Sequence, residues 1–443
     1  MADLASRMRS PGLKIFIIAL LTVLMAVPLM FIEFALTDRQ GRATEAETDV
    51  AAGWGGVQTV AGPMLLLPYE ETVTTVVDGR AVQTVQGGTA VLLPTTLDLD
   101  ARSDMGERFR GIFPVPVYRA TTAVKATFDQ EALDTLVPQG AKPLWDRATV
   151  SILVTDVRGL AGNVTMVVNG QEVSFQPGIG VEGSTAAGIH APLGLTVAPA
   201  YGLSLTTDLP LRGSRELDFA SLGRQTTAHI ASNWKDPSFA GAFLPSSRRI
   251  GPGGFDATWN VPYLARGYGQ SFATPENALN AVMSSAFGVK FYQPVDFYQL
   301  VQRSLKYAIL FVGLAFLVFF VAELIVGKRL HAAQYALMGA AQVLFYLLLL
   351  SFAEHIGFLW AYVVAAAATV SMTALYAASA FASKVRAAVL FVVLGALYGL
   401  LYVILIQEDY ALLIGALVLF AALGTTMFAT RKIDWTRVAP ETA

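Results

Sequence analysis

Ser232 and Lys235 have the Ser-x-x-Lys spacing of a nucleophile and its base in penicillin-recognising enzymes. That chemistry needs the serine at the start of a helix, with the lysine one turn on. Here the pair follows an alternating, strand-like stretch and runs into Pro237, and neither Ser-Asp-Asn nor Lys-Thr-Gly occurs in the chain. The spacing is therefore read as a loop that locks part of a domain together. Gly178-x-Gly180-x-x-Gly183 matches a dinucleotide fingerprint, whose glycines belong between a strand and a helix. The residues after it, Ser184 to Gly188, lie among strand-like segments, so it reads as a turn and no cofactor is expected. The four histidines, His190, His229, His331 and His355, show no metal-ligand spacing. The chain has no cysteine, which removes thiolate metal sites, disulfides and a cysteine nucleophile together. Asp208, Glu216, Asp218 and Asp236 are candidates for carboxylate pairing, which spacing alone leaves open.

Charges within apolar runs are the next group to examine, because burying them costs free energy. Glu323 lies in such a run, about one turn from its end, and is expected to reach the interface or to pair with Lys328 or Arg329. Glu354 and His355 stand together at the edge of the following run. They are candidates for a functional contact with an outer domain, with lipid or with a partner, the alternative being the ordinary placement of polar residues at the interface. Trp360, Tyr362 and Trp435 read as interface anchors.

The elements that carry these residues follow from composition. Of 443 residues, 54% are hydrophobic and only 14% charged, a shortage of charge for a soluble domain. The net charge of −2 argues against a nucleic-acid partner. The apolar excess sits at the two ends. Ile15 to Leu36, broken only by Pro28 and Glu33, is long enough to cross a hydrocarbon core of about 30 Å. It follows Arg7, Arg9 and Lys14 and lacks a small-residue cleavage site, so it reads as an uncleaved anchor. Five more spans are expected at 307–326, 334–353, 358–380, 387–406 and 410–429. Lys328, Arg329 and His331 lie after the second span, Lys384 and Arg386 after the fourth, and Arg431, Lys432 and Arg437 after the sixth. The other two connections carry Glu354 with His355 and Glu408 with Asp409. Positive residues mark the cytoplasmic side, so both termini are expected inside and residues 37–306 outside.

That outer segment reads as mainly antiparallel β, in one large sandwich or two packed sheets. Thr121–Phe128, Val150–Thr155, Val164–Val168, Leu203–Leu209, Leu217–Leu222 and Thr226–Ile230 are expected strands, with Asn169-Gly170 as a two-residue hairpin turn. Helices are expected at Asp38–Ala52 as a linker, near Gln130–Leu136, and at Pro275–Phe287 behind Thr274 as N-cap. Gly395-x-x-x-Gly399 and the small residues of the fourth span suit close helix packing, within the chain or in a homo-oligomer.

Five strings carry a family resemblance. They are Gln58 with Gly62-Pro63 and Leu67-Pro68-Tyr69; Ser232-Asn233-Trp234 with Pro237-Ser238-Phe239, Gly241 and Phe243-Leu244-Pro245; Lys306 to Leu310; Phe345-Tyr346-Leu347 with Ser351, Glu354-His355 and Gly357-Phe358; and Thr430-Arg431 with Ile433-Asp434-Trp435. In this order they resemble the CreD family of inner-membrane proteins associated with cell envelope integrity. The loop 78–112 and the segment 246–290 resemble it least. The resemblance implies a Gram-negative inner-membrane protein with a periplasmic domain, under a two-component envelope-stress system, and supplies no catalytic mechanism. The expected domains are a cytoplasmic N-terminus (1–14), a first transmembrane helix (15–36), a periplasmic β-rich domain (37–306), a five-helix bundle (307–429) and a cytoplasmic tail (430–443). No catalysis or metal is expected. The partners expected are the lipid bilayer and an unidentified periplasmic or inner-membrane protein, with Trp234, Pro237, Phe239, Glu323, Glu354 and His355 as contact residues. A transporter or channel, and an enzyme acting on envelope glycan or lipid, are the alternatives.

Overall fold

A computed structural model of the chain describes residues 11–77, 80–291, 297–328, 330–407 and 410–431. Of the charges used above for orientation, Arg7, Arg9, Arg329, Glu408, Asp409, Lys432 and Arg437 lie outside the described residues, as do Ile433 to Trp435. The chain divides into two units, Met1–Arg42 with Val295–Ala443, and Ala43–Pro294.

Six helical stretches are long and apolar enough to cross a membrane, one near the N-terminus and five in the C-terminal part. The first comprises α1 (Pro11–Leu24) and α2 (Ala26–Trp54). Pro28 has no N–H to offer the carbonyl of Leu24, and the helix is interrupted just there. The separate linker helix expected at 38–52 is instead the continuation of α2, because no glycine or proline combination breaks the register between Leu36 and Trp54. The others are α3 (Phe297–Val326), α4 (Ala332–Ile356), α5 (Phe358–Phe381), α6 (Lys384–Ile406) and α7 (Ala411–Thr430). The first expected span falls across α1 and α2, and the other five fall on α3 to α7: 358–380 and 410–429 match α5 and α7 within a residue, α4 and α6 run two or three residues longer at an end, and α3 begins well before 307. Phe16, Leu20, Phe31, Phe34, Leu412 and Phe420 are exposed on these helices, an apolar surface that requires a lipid bilayer around it.

The second unit is built from two mixed sheets. One runs Pro237–Gly241, Ala286–Phe291, Glu216–Ala220, Gln58–Val77, Thr149–Val154, Gly188–Pro192 and Gln176–Pro177 from edge to edge, with Arg80–Leu92 as a long hairpin partner of the central strand. The other runs Ser247–Gly251, Gly254–Pro262, Gln225–Ser232, Thr96–Arg110, Phe113–Phe128, Leu203–Ser214, Thr165–Val168 and Gln171–Ser174. Pairing is antiparallel except between 58–60 and 217–219, and between 96–103 and 225–232. Side-chain alternation sends Leu97, Leu99, Ala228, Ile230, Ala257 and Trp259 inward from one sheet, against Leu65, Leu67, Ile152, Leu217 and Phe287 of the other. Trp259 is 0% exposed, and burying one such ring contributes about 2–3 kcal/mol.

Local chemistry agrees where its signals are strong. Asn169 (φ 48°) and Gly170 (φ 87°) form the expected turn between strands 165–168 and 171–174. The loop expected at 78–112 is mostly strand, 80–92 and 96–110. The helix expected to Phe287 ends at Met283, and 286–291 is a strand. Phe287, Val289 and Phe291 alternate with a period of two, so a helix would have scattered them around its axis, whereas the strand buries all three. Pro275 opens that helix as expected, but the Thr274 side chain makes no capping bond.

Candidate functional site

In the membrane unit two buried carboxylates, Glu323 and Glu354, are paired with cations. Glu323, 6% exposed, forms an ion pair with Lys14 of α1 and accepts a hydrogen bond from Tyr335 Oη at 3.0 Å. Lys14 Nζ also donates to the Leu330 carbonyl at 3.0 Å. This corrects the expected pairing with Lys328, which is exposed at the loop; the low dielectric around Glu323 favours a cation that shares its burial. At the other ends of these helices, Glu354 Oε2 lies 3.5 Å from Arg39 Nη1, and its Oε1 accepts from Tyr298 Oη at 3.1 Å. The Glu354 side chain is 7% exposed, while His355 beside it is exposed. Tyr362 is not an interface anchor: it is buried, meets Phe345 edge-on at 5.3 Å and donates to the Tyr398 carbonyl at 2.6 Å. Tyr398 in turn donates to Gln342 Oε1 at 2.7 Å. Trp360 is exposed on α5, as an anchor would be.

In the β domain, the residues quoted for the family resemblance split into two groups. Phe239 and Phe243 pack inward: Phe239 meets Phe255 and Trp259 edge-on, each at 5.7 Å, and the Phe243 carbonyl accepts from Trp259 Nε1 at 3.1 Å. Pro237 opens the edge strand 237–241 and pairs with Phe291. Trp234 also packs against the core, and together with its neighbours it lines a cleft. Asn233 receives Met105 N–H at 2.8 Å and donates to Asp104 at 2.8 Å, which fastens the 232–236 loop to the 96–110 strand. Ser232 ends a strand and its Oγ accepts from Trp234 N–H, so it holds the loop and is not at a helix start. Gly178, Gly180 and Gly183 all have positive φ in a turn between strands, where the Gly178 carbonyl is 2.9 Å from His190 Nδ1.

Three clefts with shared walls run along the outside of the 96–128 hairpin. The first, about 290 Å³, lies between Met105–Glu107 and Asn233–Asp236. The second, about 240 Å³, shares Met105–Glu107 and adds Trp54, Arg108 and Arg119. The third, about 430 Å³, shares Arg119 and extends to Thr121, Pro210 and Arg212. Trp54 is held in this groove by a donation from its Nε1 to the Tyr118 carbonyl at 3.2 Å. Directly after it, Gly55 (φ +129°) ends α2 where a Cβ would lie 2.5 Å from the Arg212 carbonyl, so only glycine fits. Gln58 explains its own presence: fully buried, it donates from Nε2 to the carbonyls of Asp156 and Arg212, each at 3.0 Å. Asp156 accepts from Gly56 N–H at 3.0 Å, and the Arg158 guanidinium bonded to it holds its carboxyl below the usual range.

Two titratable groups outside the groove escaped the sequence reading in their detail. On strand 216–220, Glu216 and Asp218 share the face opposite Leu217 and Phe219, and Lys290 lies 3.2 Å from Glu216. Burial and the neighbouring Glu216 push the Asp218 carboxyl up to about 7, with Lys290 opposing. Burial also raises the Tyr118 phenol, whose Oη donates to the Glu216 carbonyl at 2.9 Å. On the other sheet His229 sits between Asp100 (2.8 Å) and Asp256 (2.9 Å) on adjacent strands. Burial alone would lower its pKa, but the two carboxylates outweigh it and the net shift is upward. The alternation that places His229 on a sheet face was legible; its two neighbours depend on register.

Together these features define a multi-pass integral membrane protein that carries a two-sheet extramembrane domain. A family model described as inner membrane protein CreD matches residues 10–436. A curated relative, inner membrane protein CreD of Escherichia coli (strain K12), is 33% identical over 413 residues, covering 93% of this chain and 91% of that protein. The chain belongs to the CreD family of inner-membrane proteins.

Proposed function

We propose that this protein supports envelope integrity and the envelope stress response without catalysis, by using the groove on its β domain to bind a periplasmic or inner-membrane partner. The observation that carries the reading is the groove itself, walled by the Asn233–Asp236 loop and by Trp54. In this reading both termini are cytoplasmic and the β domain is periplasmic. Lys328, Lys384, Arg386 and Arg431 support that orientation by their places in alternate connections. Lys14 meets Glu323 and Leu330 at one end of the bundle and Arg39 meets Glu354 at the other, so the start of α1 lies on the same side as the Lys328 connection.

Two experiments test this. A photo-crosslinking side chain at Gly106 or Lys235 in intact cells is expected to capture the same protein or lipid from both positions. Single substitution of Ser232, Glu354 or His355 in a deletion strain stressed with detergent or β-lactam is expected to preserve rescue wherever folding is preserved. One conservative change that abolishes rescue while the protein stays abundant would instead favour an enzyme. For orientation, the cysteine-free sequence lets Ser184→Cys and Lys328→Cys report alone. An impermeant maleimide is expected to label the first in spheroplasts and the second only after permeabilisation.

A further inference from the structure

Three guanidinium groups crowd one indole in the middle of the groove. Arg108, Arg212 and Arg119 have their Cζ atoms 4.3, 5.2 and 5.3 Å from the centroid of the Trp54 ring. Arg119 and Arg212 are directly opposite one another in the strand register, a placement in which like charges repel. Among the described residues no carboxylate lies within ion-pair distance of any of the three. Asp104 is opposite Arg119 on the other side, but its carboxylate takes the Asn233 amide instead. Stacking on the indole explains one or two of these arginines, since a ring has two faces. It does not explain a third positive charge gathered there without a counter-charge.

We infer that Trp54, Arg108, Arg119 and Arg212 form a binding site for a phosphate-type oxyanion. The planar guanidinium fork matches two oxygens of such a group. The indole holds the forks in place, its own orientation fixed by the bond to Tyr118 and by Gly55 behind it. Two open clefts meet at Arg119, so the oxyanion can be the end of a larger molecule lying along the groove. The same chemistry is offered by a lipid headgroup and by a soluble phosphate. The inference rests on the proposed role of the groove only for its biological meaning. Crosslinking capture without anion affinity overturns the site alone; anion affinity without capture overturns the contact surface alone.

The test uses the full chain in phosphatidylcholine nanodiscs, titrated calorimetrically with inorganic phosphate and pyrophosphate, and repeated in phosphatidylglycerol nanodiscs. Binding is expected for the wild type, weakened by about tenfold in Arg119→Gln or Arg212→Gln through loss of one charge-assisted contact. Arg249→Gln, on the exposed edge strand 247–251 away from the groove, is expected to leave it unchanged. Competition by phosphatidylglycerol identifies a headgroup as the occupant; undiminished phosphate binding identifies a soluble one. Should a glutamine variant fail to fold, Arg119→Lys keeps the charge and loses the fork. A rise in wild-type Tm with phosphate, absent with chloride at equal ionic strength, needs no variant. Affinity that is equal in the wild type and the Arg108→Gln/Arg119→Gln/Arg212→Gln protein, or no affinity for phosphate and no effect of phosphatidylglycerol, overturns the proposal.

Discussion

Two sites in this protein, one in the membrane unit and one in the β domain, treat charge in opposite ways. In the membrane unit, Glu323 and Glu354 each face a cation and a tyrosine hydroxyl. In the β domain, Arg108, Arg119 and Arg212 share one indole and, among the described residues, have no carboxylate within ion-pair distance. The difference follows from the surroundings. An unpaired charge in an apolar bundle is a large penalty, so pairing there is a condition of folding. At a water-filled groove the same repulsion is screened, and charges can be kept for a ligand.

The comparison breaks most readily at Glu323. Glu323→Ala strands Lys14 and is expected to destabilise the protein by about 3 kcal/mol, the usual size for halving a buried pair. Denaturant unfolding in mild detergent measures this, and Lys14→Met with Glu323→Met is expected to recover most of the loss. If the single variant unfolds at the wild-type midpoint, the pairing is not a condition of folding.

Asp218 is the next largest effect, and it tests whether the β domain tolerates a suppressed charge. Its folded carboxyl binds a proton more tightly than the unfolded one, whose value is 3.8 against about 7. The resulting stability is fully present below about pH 3.8 and lost as the pH climbs through about 7. After allowance for solvent screening it amounts to on the order of 2 kcal/mol. Asp218→Asn is expected to flatten that slope in thermal melts between these limits.

Glu354→Gln removes the Arg39 pair and retains an acceptor for Tyr298. Because Arg39 is 44% exposed, the expected loss is about 1 kcal/mol, well below that at Glu323. An equal loss at both sites would erase the distinction drawn from burial.

His229 gives the smallest effect. With its folded pKa raised, its contribution is fully present below the unfolded value of 6.5 and lost as pH rises through the folded one. His229→Gln is expected to cost about 0.5 kcal/mol at acidic pH and nothing at alkaline pH. Chemical-shift titration of the imidazole checks the direction independently.

What the sequence by itself determined is what depends on short-range pattern. Six apolar runs, their connections, the Asn169-Gly170 turn and the alternating strands were all legible, because bilayer thickness and backbone periodicity act on consecutive residues. Lys235 and Gly178 to Gly183 were read as loop and turn for the same reason, while Ser232 closes the strand before the loop. Phe239 and Trp234 were singled out together, and only the fold showed that both pack against the core while Trp234 also lines a cleft. Tertiary structure alone decided that Glu323 meets Lys14, more than three hundred positions away, and not Lys328 nearby. It also decided that Arg108, Arg119 and Arg212 converge on Trp54. Nothing in the spacing of those four residues sets them together. Their meeting depends on strand register and on where α2 ends, and both are settled by burying the core between the two sheets, which is a property of the whole domain.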